Sequence, residues 1–151
     1  PCYDSPDLDS ARAGERCPAG FDRDRDQGSI IVVVGTDAPL LPHQLRRVAR
    51  RAALGIGRMG GIAGAGSGDL FVAFSTAETT ADSVRVASVR MLNDNAIDPV
   101  YEATVQATEE AIINAMLAAR TMKGAGGLVV PALPHDRLRQ ALRKYGRAVA
   151  R

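Results

Sequence analysis

Several residue types and patterns are scarce in this sequence of 151 residues. It has no tryptophan, three tyrosines and three phenylalanines. It also has no apolar run near the roughly 20 residues that a membrane-spanning helix needs, so we expect no membrane-spanning segment. His43 and His135 stand alone in the sequence, and Cys2 and Cys17 are far from both, so no metal site is predicted.

A large excess of charge of one sign is also missing. Lys and Arg number 19 against 17 for Asp and Glu, which gives a net charge of +2. Nucleic-acid binding depends on basic residues that neutralise phosphates, so we expect no nucleic-acid partner. The charge is uneven along the chain, because residues 1–28 hold seven acidic residues against four arginines.

Residues 1–28 differ in character from the rest of the chain. They contain prolines, glycines and alternating charges but no apolar periodicity, so we predict a flexible tail. Cys2 and Cys17 could form a disulfide or stay reduced, and we favour free thiols. The first residues lack the basic start and apolar stretch of a secretory signal. We expect a cytoplasmic location, with the periplasm as the alternative.

Two strands are predicted on either side of a helix. Ser29–Val34 is a run of mostly β-branched residues, typical of a central strand that is covered on both faces. Apolar residues recur at helical spacing over residues 41–56, and a second strand is predicted at Leu70–Phe74. The other side of the helix carries arginines that we interpret as a solvated surface: Arg46, Arg47, Arg50 and Arg51.

The remaining sequence predicts one more strand and two helices. Imperfect alternation over Val84–Met91 indicates a strand. Asp98 and Pro99 suit the start of a long helix that reaches about Met122, and His135–Ala150 predicts a basic closing helix. The order β-α-β-β-α-α predicts an α+β fold in which helices are layered on a sheet.

Residues 55–60 match the GxGxxG pattern of dinucleotide-binding sites. That site requires a strand before the glycines and a helix that opens from them. Here a helix precedes the glycines and a strand follows them. We therefore reject a dinucleotide site and expect no cofactor.

Two short segments carry groups suited to covalent chemistry. Gly28 precedes Ser29 where the tail meets the first strand, and glycine lets a neighbouring hydroxyl approach its carbonyl, a geometry that suits self-cleavage. A serine at a new chain end holds both a hydroxyl nucleophile and an α-amine base. Ser67 and Asp69 are two residues apart before the second strand, which places both on one face. On spacing alone, an ordinary loop end and an ordinary turn are the better interpretations.

Four longer segments, which match a known family in the same order along the chain, favour a catalytic interpretation of these residues instead. They are Gly28–Val34, Thr36–Pro42, Gly66–Ala77 and Thr108–Ala115. These segments strongly resemble the L-aminopeptidase/D-Ala-esterase/amidase family, which includes the β-peptidyl aminopeptidases. The resemblance covers residues 28 to about 145. It implies part of an αββα sandwich resembling N-terminal nucleophile hydrolases, in a serine hydrolase whose precursor splits between Gly28 and Ser29.

The resemblance also assigns roles to individual residues. Ser29 is the nucleophile and the first residue of a small C-terminal subunit, residues 29–151, and residues 1–28 are the flexible tail of the upstream subunit. Ser67 and Asp69 match the family's second serine and its carboxylate, which hydrogen-bond around the nucleophile and its amine. The family's carboxylate is Asp or Glu, and this chain has the shorter residue.

The resemblance implies partners outside this chain. The family's oxyanion-hole asparagine and the groups that recognise the substrate's amine lie in its large N-terminal subunit. The expected partners are that subunit and a peptide or amino-acid amide substrate, in a homo-oligomer of αβ pairs. Because a lost oxyanion donor typically slows an enzyme by about 100- to 1,000-fold, we expect the isolated chain to be nearly inert.

The function implied by the resemblance is that of an autoprocessed serine aminopeptidase or amidase-esterase, present as an incomplete fragment. Such an enzyme releases N-terminal residues from peptides, amides or esters. One alternative is an acyltransferase of the ornithine acetyltransferase type, which is similar and also self-cleaves but has threonine where this chain has Ser29. The other is a non-catalytic, truncated remnant that survives only by pairing with another chain.

Overall fold

A computed structural model of the chain describes residues 28–77, 85 and 88–147. The predicted flexible tail, with Cys2 and Cys17, lies outside these residues apart from Gly28. Two 3-10 turns, Asp94–Ala96 and Ala125–Gly127, lie before the second helix and between the last two strands. The other elements of the described chain are β1 (Ile31–Thr36), α1 (Pro42–Arg58), β2 (Leu70–Ser75), α2 (Asp98–Ala118), β3 (Met122–Lys123), β4 (Val129–Val130) and α3 (His135–Lys144).

The described residues divide into two compact units. The smaller unit contains residues 28–31 and Ile62–Leu70. The larger unit contains Val32–Gly61 and the described residues from Phe71 onward. The predicted subunit boundary between residues 28 and 29 is a different division of the chain and stays a prediction.

β1 and β2 pair with each other. The N–H of Leu70 donates to the carbonyl of Ile30 at 3.0 Å, and the N–H of Thr76 donates to the carbonyl of Thr36 at 2.8 Å. Both bonds have the same offset along the two strands, so the strands run parallel. Parallel neighbours need a crossover connection, which α1 provides. The two predicted strands and the helix between them are confirmed, with strand bounds shifted by one or two residues.

One face of the β1–β2 pair is open in the described chain. Val33, Val72 and Phe74 expose 62%, 45% and 47% of their surface. The opposite face, with Val34 and Ala73, packs on the apolar core. The prediction that β1 is covered on both faces is therefore wrong for the described residues, because no described element covers its outer face.

α1 and α2 pack closely on each other. Val48 on α1 and Ile97 at the start of α2 are fully buried in the core. A Cβ atom on Gly55 would lie 2.7 Å from Cβ of Thr108 and 2.8 Å from the carbonyl oxygen of Val105. Glycine at position 55 therefore permits a helix contact that a larger residue would push apart.

A buried glutamine ties the start of α1 to the segment before α2. Gln44 is fully buried, and its amide nitrogen donates to the carbonyl of Leu92 at 2.8 Å and to Asp94 Oδ1 at 2.7 Å. Its amide oxygen accepts from the N–H of Leu41 at 3.0 Å, so both ends of the amide are hydrogen-bonded. The Gln44 hydrogen bond and the nearby Arg47 charge hold the pKa of the Asp94 carboxyl below its ordinary value of 3.8.

Two arginines on the outer side of α1 pack on an aromatic ring. Cζ of Arg51 lies 4.2 Å from the ring centroid of Tyr101, and Cζ of Arg47 lies 5.3 Å from it. Arg46 and Arg50 are exposed, as predicted, whereas Arg47 and Arg51 are partly covered by their contact with Tyr101 and only partly solvated. A flat guanidinium stacks favourably on an aromatic face, which helical spacing alone does not reveal.

The C-terminal elements are shorter than predicted. α2 ends at Ala118 because the chain then turns extended and β3 pairs antiparallel with β4. α3 ends at Lys144, where Gly146 adopts a positive φ of 64° and stops the helix. Of the strand predicted at Val84–Met91, residues 88–91 lie in neither helix nor strand, and residues 84, 86 and 87 lie outside the described part.

Candidate active site

The predicted site residues lie where two neighbouring strands begin. Ser29 stands two residues before β1, and Ser67–Asp69 directly precede β2. Because parallel strands that pair in register start at the same edge of a sheet, the residues before them come together. Ser29, Ser67 and Asp69 all belong to the smaller unit. Strand direction thus joins segments that are almost 40 residues apart in the sequence.

Four hydrogen bonds connect the two segments and order the loop. The N–H of Gly68 donates to Oγ of Ser29 at 2.9 Å. Oγ of Ser67 donates to Oδ1 of Asp69 at 2.6 Å, and the N–H of Ile30 donates to the same Oδ1 at 3.0 Å. The Leu70 N–H holds the Ile30 carbonyl, as described above. Residues 67–70 thereby fix the position of Ser29 and Ile30.

Asp69 is the centre of this group. A single carboxylate oxygen accepts hydrogen bonds from the Ser67 hydroxyl and the Ile30 N–H, and hydrogen bonds to an ionised acceptor are stronger than neutral ones. Ser67 and Asp69 are half-buried, whereas Ser29 and Gly28 are exposed. The hydroxyl of Ser29 is therefore held in place and still open to a reacting molecule.

The structure brings Ser29, Ser67 and Asp69 into one group, but the contacts differ in detail from the expected ones. Among the described residues, the group that hydrogen-bonds to Ser29 Oγ is the Gly68 N–H, not the Ser67 hydroxyl. Asp69 binds the N–H of Ile30, one residue beyond the nitrogen of Ser29. The catalytic roles of these residues, and cleavage between Gly28 and Ser29, stay predictions.

Gly68 and Ile30 were not among the residues that sequence reasoning selected. Both contribute backbone atoms, and a backbone atom leaves no trace in the residue type. No residue-type signal selects these two N–H groups, and their roles are recognised only when the two strands lie side by side.

The described residues contain no cluster of metal ligands, no membrane-spanning helix and no dinucleotide-binding loop. Within residues 28–77, 85 and 88–147, no three His, Cys, Asp or Glu side chains gather as metal ligands would. No helix in these ranges combines the length and the apolar character needed to cross a bilayer. The GxGxxG segment lies at the C-terminal end of α1 and does not connect a strand to a helix.

Comparison with solved structures defines the class of protein. The chain is similar to the L-aminopeptidase D-Ala-esterase/amidase of Ochrobactrum anthropi, a prototype serine aminopeptidase with a variant of the Ntn hydrolase fold. The two are 52% identical with a TM-score of 0.73, over 82% of this chain and 35% of that chain. A β-aminopeptidase of Burkholderia sp. is 39% identical with a TM-score of 0.69, over 80% of this chain and 36% of that one. The described chain therefore has part of an Ntn hydrolase fold.

The family follows from the sequence. Residues 6–130 match Peptidase family S58, and the chain belongs to that family. It is also 53% identical over 125 residues to the β-peptidyl aminopeptidase BapA of Sphingosinicella microcystinivorans, which covers 82% of this chain and 32% of that protein. The chain spans about a third of the length of the curated relatives it matches. The predicted family and the predicted α+β, Ntn-hydrolase-like fold are confirmed.

Proposed function

We propose that this chain is the nucleophile-bearing part of an autoprocessed serine aminopeptidase, with Ser29 as the nucleophile. The observation that carries the proposal is the placement of Ser29 Oγ against the Ser67–Asp69 segment, on the Gly68 N–H at 2.9 Å. A hydroxyl that is exposed and yet fixed suits a nucleophile, because attack requires both access and orientation. Membership of a peptidase family supports this choice of chemistry.

The proposed subunit boundary lies between Gly28 and Ser29. Residues 29–151 form the small subunit, and residues 1–28 are the end of the large subunit. The family match begins at residue 6, so sequence on both sides of the bond belongs to the same family. This continuity supports a single precursor that contains both sides of the proposed cut.

Cleavage proceeds by an N-to-O acyl shift. Oγ of Ser29 attacks the carbonyl carbon of Gly28, the new C–O bond forms, and the C–N bond to Ser29 breaks. The hydroxyl proton ends on the Ser29 nitrogen, which becomes an amine. Water then hydrolyses the ester, which leaves the carboxylate of Gly28 and the free hydroxyl and α-amine of Ser29.

The α-amine of Ser29 is then the general base, since a chain-terminal amine has a pKa near 8. Asp69 and Ser67 position it. Asp69 holds the N–H of the next residue, Ile30, and Ser67 fixes the Asp69 carboxylate. The short reach of Asp69 fits this arrangement, because the carboxylate acts on the neighbouring peptide group.

The proposed substrates are peptides, amides or esters with a free N-terminal residue. Oγ attacks the substrate carbonyl while the α-amine takes its proton and passes it to the leaving amine or alcohol. Water releases the resulting acyl-enzyme by the reverse proton movements. Relatives named β-peptidyl aminopeptidase and L-aminopeptidase D-Ala-esterase/amidase support this substrate class.

The proposed partner is a large subunit that covers the open face of the β1–β2 pair. Val33, Val72 and Phe74 on that face are large and substantially exposed. Contiguous apolar patches of this kind usually mark an interface. The chain also spans only about a third of its curated relatives, which leaves ample sequence for such a subunit. Several of these αβ pairs assemble in the proposed oligomer.

The central experiment compares the 151-residue chain alone with the chain supplied with the large subunit of the same precursor. D- and L-alanyl p-nitroanilide serve as substrates. We expect turnover only when the large subunit is present, because it supplies oxyanion and amine-binding groups. Robust turnover by the chain alone that disappears in Ser29→Ala would contradict the requirement for a second subunit.

Two further readouts separate this function from its alternatives. A free N-terminal Ser29, detected by intact mass and N-terminal sequencing, is expected of the enzyme and not of a non-catalytic remnant. Transfer of an acetyl group to ornithine, in preference to water, would instead indicate an acyltransferase.

A further inference from the structure

The hydrogen bond from Gly68 to Ser29 involves the reacting atom itself. Its donor is a backbone N–H, 2.9 Å from Oγ of Ser29. A side chain at position 68 would not clash with the nucleophile, so steric room for Ser29 does not require glycine there. A Cβ atom would lie 3.5 Å from Ser29 Oγ, an ordinary van der Waals distance. The feature of position 68 that contacts the nucleophile is therefore its N–H.

The neighbours of Gly68 hold this donor still. Asp69 is bound through its side chain to the N–H of Ile30, and Leu70 is bound through its N–H to the carbonyl of Ile30. Ser67 is tied to Asp69 on the other side. A donor that is fixed before the reaction stabilises developing charge without a cost of reorganisation.

We propose that the Gly68 N–H is a catalytic donor that stays on the Ser29 oxygen throughout the reaction, in addition to the oxyanion site for the substrate carbonyl. This inference rests on the proposed function, because it takes Ser29 as the nucleophile. The donor neither gains nor loses a proton. It stabilises negative charge on Oγ at the two moments when that atom carries it.

The first moment is attack. Oγ gives its proton to the α-amine of Ser29 and forms a bond to the substrate carbonyl carbon, and the N–H favours the partly deprotonated oxygen. The second moment is release of the acyl group. Water gives a proton to the α-amine as it adds to the ester, the C–Oγ bond breaks, and Oγ keeps the electron pair until the resulting ammonium group returns that proton.

The test is a double-mutant cycle in the complete enzyme, the chain together with its large subunit. Gly68→Pro removes the N–H, whereas Gly68→Ala keeps it and adds a side chain that fits. We expect Gly68→Pro to lower kcat/KM by about 100-fold or more. We expect Gly68→Ala to lower kcat/KM far less than Gly68→Pro does.

The same two variants are then made in the Ser29→Cys background. A thiol is a competent nucleophile, but sulfur is a weak hydrogen-bond acceptor. In the Ser29→Cys background, Gly68→Pro should therefore lower kcat/KM by less than about tenfold. This is well below the loss expected when a donor to an oxygen is removed. An equal loss from Gly68→Pro in both backgrounds would indicate a distorted loop and overturn the inference, as would no loss with Ser29.

Amide exchange covers the case in which Gly68→Pro does not fold. The Gly68 N–H should lose its protection from hydrogen–deuterium exchange in Ser29→Ala, and unchanged protection would overturn the inference. Activity of Ser29→Ala separates the two proposals. If that variant keeps turnover, the proposed function itself is wrong. If it is inactive while Gly68→Pro is fully active, the function stands and the donor role falls.

Discussion

The candidate active site and the interface between α1 and α2 are held together by different forces. The site depends on a few hydrogen bonds among half-buried and exposed groups, centred on Asp69. The helix interface depends on close apolar packing, with Val48 fully buried and no room for a Cβ atom on Gly55 beside Thr108. The site depends on the positions of a few polar atoms. The interface depends on the volume that its side chains fill.

This difference has a consequence for mutations. Polar changes at a partly exposed surface usually alter stability by about 0.5 kcal/mol or less, and the site lies at such a surface. Changes of volume in a packed interface alter stability by more, because packed atoms cannot move aside. We therefore expect mutations in the site to change mainly the turnover rate and mutations in the helix interface to change mainly the free energy of unfolding.

The largest expected effect is that of Ser29→Ala. It should abolish the proposed cut between Gly28 and Ser29 in the complete precursor and reduce turnover by about 10,000-fold or more, because the proposed nucleophile is lost. Ser29→Cys serves as the matched control and should retain some cleavage. Intact-mass analysis gives the answer, and a cut at any other bond would refute the assignment.

The next effects are those of Ser67→Ala and Asp69→Asn in the complete enzyme. A positioned proton-transfer or orienting group contributes about 100- to 10,000-fold in rate, so kcat should fall by that range. The melting temperature should change little. If the two residues only shape a turn, both variants will melt early and show normal turnover once folded, which would break the contrast between the regions.

The third prediction concerns the packing of α1 against α2 at Gly55. Gly55→Ala should destabilise the fold by about 1–3 kcal/mol, because the new Cβ meets Thr108 and the Val105 carbonyl. Gly57→Ala, in the same helix, has open space around the new Cβ and should stabilise by up to about 1 kcal/mol. Urea unfolding measures both. Shifts in the same direction would mean that helix propensity, not packing, governs this part of α1.

The smallest expected effect concerns pH and Asp94. Its pKa is held below 3.8 by the Gln44 hydrogen bond and the Arg47 charge, so the unfolded chain takes up this proton first as the pH falls. The stabilisation by Asp94 is therefore present above about pH 4 and is lost below its folded pKa. The difference in stability between wild type and Asp94→Asn should shrink on acidification, as equilibrium unfolding at several pH values would reveal.

Much of the fold is predictable because its signals are local. The β-branched run before Thr36 indicates β1, apolar periodicity indicates α1, and Asp98–Pro99 mark the start of α2. The end of α2 was missed because it depends on the pairing of β3 with β4, which no local pattern encodes. The packing of Arg47 and Arg51 on Tyr101 was missed for the same reason, since the ring belongs to another helix.

The site was predictable in part. Ser29, Ser67 and Asp69 have side chains that suggest chemistry, and the family resemblance selected them from other serines and acids. The Gly68 N–H and the Ile30 N–H were not predicted, because they are common to every residue except proline and gain meaning only in three dimensions. The cytoplasmic location and the oligomer stay predictions.

The anchoring of Ile30 has a consequence for the fate of the chain end. Ile30 is the second residue after the proposed cut, and its N–H is bound to Asp69 and its carbonyl to Leu70. An aminopeptidase has to draw the first residues of a polypeptide out of any sheet before it can remove them. If Ser29 becomes a free N-terminus, its neighbour is already hydrogen-bonded through both its N–H and its carbonyl. Under the proposed function, such an end resists trimming by other exopeptidases and by a second copy of the enzyme, which protects the protein from its own reaction.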